Sequence, residues 1–323
     1  MTTDLLSDLL HLVRARCSLS GRLVAGGSWA HRFANLESVK FSAAVEGACW
    51  FFMEGMAAPT RLEQGDILVT NGSRSLVLAS APDLVADAAT TPLPQDAHGN
   101  YCLGQGEDFV MLGGMVQLDD RHQPLLLGGL PPLIHVNGTN REAASLGWLL
   151  EQIVREMAPP NRPGWTIVLA ELAQLLFVQT LRAYVMQSPS GDGGWLRALG
   201  DRRLSPTLAA MHQDPSRAWS LEDLAQQAGM SRTAFVAHFR QLMGVPPLTY
   251  LTNWRMHLAE RDLRAGVSVA KVAEAVGYAS ESAFGHAFKR VTGIAPGRYR
   301  QSVSEQRSTR GGDSPQSEPT PGF

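Results

Sequence analysis

The chain contains the same pattern of residues twice within its last hundred residues. Residues 224–244 (LAQQAGMSRTAFVAHFRQLMG) align with residues 272–293 (VAEAVGYASESAFGHAFKRVTG). The early Ala and Gly match at a spacing of 48, and two Phe and the closing Gly match at 49. One residue is therefore inserted in the second copy. Such self-similarity indicates two copies of one supersecondary unit.

Each copy has the residues that a helix-turn-helix requires. A small Ala lets two helices cross closely, a Gly adopts the positive φ of the turn, and a Ser caps the second helix. These residues are Ala225 and Ala273, Gly229 and Gly277, and Ser231 and Ser280. The alternative is a pair of unrelated helical hairpins, which two in-register copies disfavour.

The second helix of each copy is predicted to have one buried and one DNA-facing side. Apolar residues recur at i, i+4 and i+7 and must pack inward. They are Phe235, Phe239 and Leu242, then Phe284, Phe288 and Val291. The opposite face and its flanks would meet a major groove. The predicted DNA-binding residues are Arg232, Thr233, Val236, Ala237, Arg240, Ser282, Gly285, His286, Lys289 and Arg290.

Between the copies, Leu248–Arg264 is predicted to be one helix about 25 Å long, which would hold the two recognition helices about one DNA turn apart. The charge distribution agrees with this placement. The whole chain has a net charge of -2, but residues 205–301 contain 11 Lys and Arg against 7 Asp and Glu. Positive charge is therefore concentrated where DNA is predicted to bind.

Residues 206–300 resemble the DNA-binding domain of the AraC/XylS family, through WRMHLA in the spacer and GYASESAF and FKRVTGIAPGRYR at the end. The resemblance implies sequence-specific binding to double-stranded promoter DNA in adjacent major grooves, with contact to RNA polymerase. Many relatives have Ser and Arg where this chain has Gly285 and His286, so a bidentate guanine contact is lost there. Val236 and Ala237 favour contact with thymine methyl groups.

The N-terminal part reads differently. Short apolar runs broken by Gly, Pro and Asn from Phe41 to Leu118 indicate antiparallel strands. Helical spacing follows over Glu142–Met157 and Thr166–Tyr184, then a flexible joint over Gln187–Gly194 and a disordered tail from Ser302. We predict an α+β chain with a cupin-like β-barrel (1–135), interdomain and dimerisation helices with a linker (136–200), an all-α DNA-binding domain with two helix-turn-helix units (201–301) and a tail (302–323).

The segments WFFMEG, RLEQGDILVTNG and LPPLIH resemble the cupin-type sensor domain of one branch of the same family. Ser75 stands where relatives often have His, and His31, His98, His122 and His135 are scattered, so we predict no metal and no cofactor. A small-molecule effector of unknown identity would instead contact Trp50, Phe52, Arg61 and Arg74. The alternative is that the aromatic residues are only core.

The three cysteines suggest a second kind of signal. Cys102 lies in a Gly-rich segment predicted to be an exposed loop, and Cys17 follows Arg14 and Arg16, which would favour its thiolate. We predict Cys17 and Cys102 as redox-sensing residues and Cys49 as an inert core residue. The alternative is that all three thiols are incidental.

The sequence thus predicts a cytoplasmic transcription regulator that responds to a small molecule or an oxidant and is not an enzyme. The apolar stretch 166–184 is interrupted by Glu171, Gln174, Gln179 and Arg182, which favours a buried or homodimer-forming helix over a membrane span. Two alternatives remain: a metal-dependent cupin enzyme carrying a helical domain, and a constitutive DNA-binding architectural protein.

Overall fold

The computed structural model describes residues 4–34, 38–87, 92–119, 123–139, 143–158, 162–187 and 194–302. Contacts divide the chain into two compact units. The helical unit holds the described residues of Met1–Val13, Asp120–Gly129 and Ser190–Glu318, and the barrel unit those of Arg14–Asp119 and Leu130–Pro189. His122, residues 188–193 of the predicted joint and residues 303–323 of the predicted tail lie outside the described residues.

The barrel unit is built from two sheets that enclose one core. Its strands are β1 (Arg16–Gly26), β2 (Ala30–Phe33), β3 (Val39–Glu46), β4 (Ala48–Met53), β5 (Thr60–Glu63), β6 (Ile67–Thr70), β7 (Leu76–Ala79), β8 (Tyr101–Gly104), β9 (Phe109–Gln117) and β10 (Leu133–Val136). The larger sheet has the order β10-β6-β3-β9-β1-β8 and the smaller β2-β7-β4-β5. The β1–β8 pair is parallel and the other pairs are antiparallel.

Alternation along the strands explains this core. On β4, Cys49, Phe51 and Met53 are buried, whereas the residues between them are half-buried on the other face. Leu62, Leu78, Phe109 and Met111 from neighbouring strands pack against them. The predicted inert core position of Cys49 is confirmed, and burial raises the pKa of its thiol.

Two helices, α3 (Ala143–Met157) and α4 (Trp165–Gln187), belong to the barrel unit, as their spacing predicted. α4 packs against α3, β1 and β10 through residues such as Leu169, Leu176 and Phe177. Gln174 on α4 accepts a hydrogen bond from the backbone N–H of Cys17 at 3.0 Å. The predicted α+β class is confirmed.

The helical unit has nine helices among the described residues for which bounds are assigned. They are α1 (Leu5–Leu12), α2 (Gln123–Leu127), α5 (Trp195–Gly200), α6 (Leu204–Gln213), α7 (Leu221–Gln227), α8 (Arg232–Met243), α9 (Pro247–Arg264), α10 (Val269–Ala275) and α11 (Glu281–Thr292). A 3₁₀ helix, Pro82–Asp87, belongs to the barrel unit. Residues 296–302 are also helical.

The units differ from the predicted boundaries at α1 and α2, which we placed in the cupin-like domain. α1 contacts α5, α6 and α9, because its leucine face, including Leu5, Leu6 and Leu9, is buried there. The spacing of the leucines predicted an amphipathic helix but carried no information on its partner. The four domain ranges stay predictions of functional division.

Two hydrophobic cores lie inside the helical unit, one for each helix-turn-helix. The first includes Phe235, Phe239 and Leu251, and the second includes Met256, Leu263, Phe284 and Phe288. The predicted spacer helix is confirmed as α9, about 27 Å long at 1.5 Å per residue. Because α9 contributes side chains to both cores, it joins the two units as one rigid element.

Candidate nucleic-acid interface

The first helix-turn-helix consists of α7 and α8. α7 starts with a capping box, in which Ser220 Oγ accepts from the N–H of Asp223 at 3.1 Å and Asp223 Oδ2 accepts from the N–H of Ser220 at 3.0 Å. The turn has Gly229 at φ +61°, and Ser231 Oγ accepts from the N–H of Ala234 at 3.3 Å. The predicted turn glycine and helix cap are confirmed.

The second unit repeats this arrangement with α10 and α11. Gly277 has φ +81°, and Ser280 Oγ accepts from the N–H of Ala283 at 3.2 Å. Gly277 has a second constraint, since a Cβ there would lie 2.1 Å from the carbonyl oxygen of Ser216. This turn therefore packs against the backbone that precedes α7.

The inward faces of the recognition helices are buried almost as predicted. Phe235, Phe239 and Phe284 are fully buried, and Phe288 also has no exposed surface. The prediction for Val291 is wrong, because 37% of it is exposed. Ala287 and Tyr299 close the second core instead, with Tyr299 packed edge-on against Phe288 at 5.4 Å between ring centroids.

The outward faces carry the ten predicted DNA-binding residues. Eight of them are exposed: Arg232, Thr233, Ala237, Arg240, Ser282, His286, Lys289 and Arg290. Val236 and Gly285 are half-buried, and Val236 packs against the first core. The two faces thus present hydroxyl, imidazole and basic groups to solvent. Contact with DNA stays a prediction for each residue.

Arg232 has a partner within the protein. Its Nη1 lies 3.0 Å from Glu222 Oε1 on α7, and both side chains are well exposed. Exposed ion pairs contribute little to stability, so a phosphate could replace this carboxylate at small cost. Arg240 and Lys289, in the last turns of α8 and α11, lie at the C-terminal end of the helix dipole, which favours positive charge.

Arg255 on α9 is a positioning residue that sequence reasoning missed. Its Nε donates to the carbonyl oxygen of Pro215 at 2.6 Å and its Nη2 to that of Arg217 at 2.8 Å. Its guanidinium also lies 6.0 Å from the centroid of the Tyr278 ring, beside Gly277. Arg255 therefore ties the spacer to the segment before α7 and to the turn of the second unit. We call this arrangement the Arg255 clamp.

The barrel unit contains a small cavity of about 40 Å³. Its walls include Lys40, Ser42, Thr70 and Arg74, with apolar side chains such as Met111. Burial lowers the pKa of Lys40. Of the four predicted effector contacts, only Arg74 lines this cavity. It also donates to the carbonyl oxygen of Glu54 at 2.7 Å.

The other three predicted effector contacts lie elsewhere in the barrel unit. Trp50 and Phe52 are half-buried on the face of β4 opposite the core. Arg61 is exposed and pairs with Glu63 at 3.3 Å. These three side chains are therefore not brought together with Arg74 in the cavity.

No group of three His, Cys, Asp or Glu side chains among the described residues is placed to hold a metal ion. His135 instead bonds Asp66, with Nε2 and Oδ2 2.9 Å apart. Burial opposes ionisation of Asp66, but hydrogen bonds from His135 and from the N–H groups of Gly138 and Glu63 outweigh it and lower the pKa of that carboxyl. The pair fastens β10 to the turn before β6.

Two expectations for the cysteines are wrong. Cys17 is buried, and burial raises the pKa of its thiol to about 12. Arg16 does not counter this, because successive side chains of a strand point to opposite faces. Cys102 lies in β8, paired with Val24 of β1, and is half-buried rather than in an exposed loop.

A direct disulfide between these two cysteines does not fit the fold. Cys17 lies seven residues from Val24 on β1, which places it about 20 Å from Cys102. A disulfide needs Cα atoms within about 7 Å. Any redox response of the two thiols would therefore be separate.

Two capped helix-turn-helix units on one spacer helix, beside a β-barrel unit, define a DNA-binding transcription regulator. The family models described as "Cupin" and "Helix-turn-helix domain" match residues 4–186 and 224–302. The chain is 39% identical to an AraC-like transcription regulator of Streptomyces lividans and 36% to one of Streptomyces antibioticus, each over 92% of this chain and 98% of the relative. The chain belongs to the AraC family of transcription regulators with an N-terminal cupin domain, and it is not an enzyme.

A solved structure also resembles the C-terminal part. The DNA-binding domain of AdpA, in complex with a target DNA, is 32% identical and covers 33% of this chain and 98% of its own, with a TM-score of 0.32.

Proposed function

We propose that the protein is a cytoplasmic homodimer that binds promoter DNA through the exposed faces of α8 and α11 and changes transcription when its barrel unit receives a signal. One observation carries the proposal. The two recognition helices bury their phenylalanines and expose basic side chains, including Arg240 and Lys289, on the opposite faces. This is the division of roles that groove binding requires.

The exposed residues suggest how the two units divide the work. Arg232, Arg240, Lys289 and Arg290 suit phosphates, which supply affinity without sequence information. Thr233, Ser282 and His286 carry hydrogen-bonding groups for base edges, and Ala237 offers a methyl group to thymine. Val236 and Gly285 are less accessible, so we assign them to the flanks of the contact.

The small cavity of the barrel unit supports a small-molecule signal. Two cationic side chains, Lys40 and Arg74, line it together with hydroxyl groups of Ser42 and Thr70. This chemistry favours a small anionic group. An oxidant signal has less support at Cys17, because a buried thiol of raised pKa reacts slowly.

The proposed homodimer rests on an exposed apolar face of α3 and α4. Trp148 is 56% exposed, Ile167 68% and Met186 70%, and Val168 and Leu175 extend the surface. α4 is long and apolar enough to cross a membrane by length and composition alone, yet its buried side packs on β1 and β10. Contiguous apolar surface of this kind is typical of a protein interface. Contact with RNA polymerase is proposed from the family resemblance.

The metal-dependent cupin enzyme has no support in the described residues, and metal analysis of the purified protein tests it directly. We expect substoichiometric metal. A stoichiometric divalent ion bound to the barrel unit would revive that alternative.

Genome-wide mapping of bound sites tests the DNA-binding function. We expect sharp peaks upstream of genes for the wild type and their loss in a double variant, Arg240→Ala with Lys289→Ala. Arg61→Ala, which removes a cation from the barrel unit, serves as the matched control and should keep all peaks. Unchanged peaks in the double variant would place the DNA on another face.

A further inference from the structure

The helical unit encloses a cavity of about 280 Å³. Its walls come from α1, the segment after α2, the start of α5, the turn after α8, and α9. Three aromatic side chains line it, Trp195, Tyr250 and Trp254, together with Leu9, Asn253 and His257. An apolar cavity of about 150 Å³ holds one benzene ring, so this space admits a bicyclic molecule.

The aromatic walls are held in place by a buried network. His212 is 7% exposed and stacks on Trp254 with ring centroids 3.8 Å apart. One ring nitrogen of His212 lies 3.3 Å from Asp8 Oδ2 and the other 2.9 Å from the Tyr250 hydroxyl. The walls are therefore rigid before anything binds, which lowers the entropic cost of binding.

One polar group of the cavity wall lacks a partner. Trp254 is 5% exposed, and its Nε1 has no hydrogen-bond acceptor among the described residues. The other indole of the wall differs, since Trp195 Nε1 donates to the carbonyl oxygen of Leu126 at 3.3 Å. A buried donor without an acceptor is costly, and a ligand acceptor would remove that cost.

The charges around the cavity restrict the ligand further. The described lining residues include no Lys or Arg. The acidic groups of the surroundings are Asp8, which faces His212, and Glu260, whose Oε2 lies 3.3 Å from His257 Nδ1. A carboxylate ligand would therefore enter without a cationic partner, at a large desolvation cost.

We propose that this cavity is a binding site for an uncharged bicyclic aromatic molecule that carries one hydrogen-bond acceptor. The site is separate from the small cavity of the barrel unit and adds a second ligand to the proposed function. Met243 and Val245, which flank the C-cap of α8, also line the cavity, as do Asn253 and Trp254 of the spacer. The bound molecule thus contacts both the end of the first recognition helix and the helix that joins the two units.

Calorimetry on the full chain with three probes tests the site without DNA. The probes are 2-acetylnaphthalene, 2-ethylnaphthalene, which lacks the acceptor, and 2-naphthoate, which is charged. We expect 2-acetylnaphthalene to bind about five- to tenfold more tightly than 2-ethylnaphthalene, as one hydrogen bond predicts. The naphthoate should bind most weakly. Absence of binding by both neutral probes, equal affinity of the two, or tightest binding of the naphthoate overturns the proposal.

Two variants locate the binding. Trp254→Phe keeps an aromatic wall but removes the N–H, so it should lower the affinity for 2-acetylnaphthalene to that for 2-ethylnaphthalene and leave the latter unchanged. Leu9→Trp fills the cavity and should abolish binding of both. Leu248→Trp, at an exposed position of α9 outside the lining, should bind like the wild type. Binding that survives Leu9→Trp, or that falls equally for both probes in Trp254→Phe, would refute the assignment. The ratio of the two neutral probes on the wild type decides the matter if Trp254→Phe does not fold.

Discussion

Single residues of the recognition helices differ in what they can contribute to DNA binding. Arg240 and Lys289 are exposed at equivalent turns of α8 and α11, whereas the neighbouring phenylalanines are buried. A cation at this position adds affinity by releasing a counterion from the DNA, and it reads no base. Base discrimination must then come from shorter side chains such as Thr233 and His286.

Replacing Arg240 or Lys289 with Ala should weaken binding to a mapped site and reduce the slope of log K against log salt by about one each. The reason is the loss of one phosphate contact. Fluorescence anisotropy over a series of salt concentrations measures both quantities. Arg61→Ala is the control and should keep the wild-type slope. Wild-type slopes in both variants would mean that these side chains do not meet the backbone.

Replacing Arg255 with Ala should lower stability by about 1–2 kcal/mol, because two hydrogen bonds from a charged group are lost. Without the Arg255 clamp, the two units should also lose their fixed spacing. Affinity for a site with both half-sites should fall at least tenfold, whereas affinity for one half-site stays within about twofold. Arg261→Ala, on the same helix but paired only with its neighbour Asp262, is the control. Equal losses on both kinds of site would argue against a positioning role.

Oxidation of Cys102, rather than of Cys17, is the expected route of any redox response. Cys102 is half-buried, whereas Cys17 is buried and its thiol has a raised pKa of about 12. A reporter assay with mild hypochlorite should therefore respond in the wild type and in Cys17→Ser and lose its response in Cys102→Ser. Identical responses in all three would show the thiols to be incidental.

At the scale of elements, the sequence predicted best what local chemistry decides. Ser231 and Ser280 cap helices because their hydroxyls reach N–H groups three residues on, and Gly229 and Gly277 take a positive φ that other residues avoid. Contacts between distant segments were harder to predict. The burial of Cys17 depends on Gln174 of α4, 157 residues away, and no local pattern encodes that meeting.

The exposed side of α3 and α4 gives a prediction about assembly. Ile167→Glu combined with Leu175→Glu should place charges in an apolar interface and convert a dimer to monomer. Arg182→Glu, at an exposed position of the same helix, is the control and should stay dimeric. Light scattering at micromolar concentration measures the mass. A wild type that is only monomeric, with and without DNA, contradicts the proposed homodimer.

At the scale of the whole molecule, the order of the chain does not match the order of its units. The helical unit contains a segment before the barrel unit, Met1–Val13, and a short excursion from within it, Asp120–Gly129, besides the C-terminal part. Periodicity alone favoured a simple succession of domains, because each helix was assigned to its neighbour in sequence. Tertiary contacts of α1 with α5, α6 and α9 overrode that succession.

The packing of α1 has a practical meaning for anyone who cuts or tags this protein. Removing the first dozen residues would strip Leu5 and Leu9 from the first core and the cavity wall and leave His212 without Asp8. A fragment that begins at residue 201 would carry the same wound. A bulky fusion at the amino end would press on the half of the protein that reads DNA, some two hundred positions away along the chain.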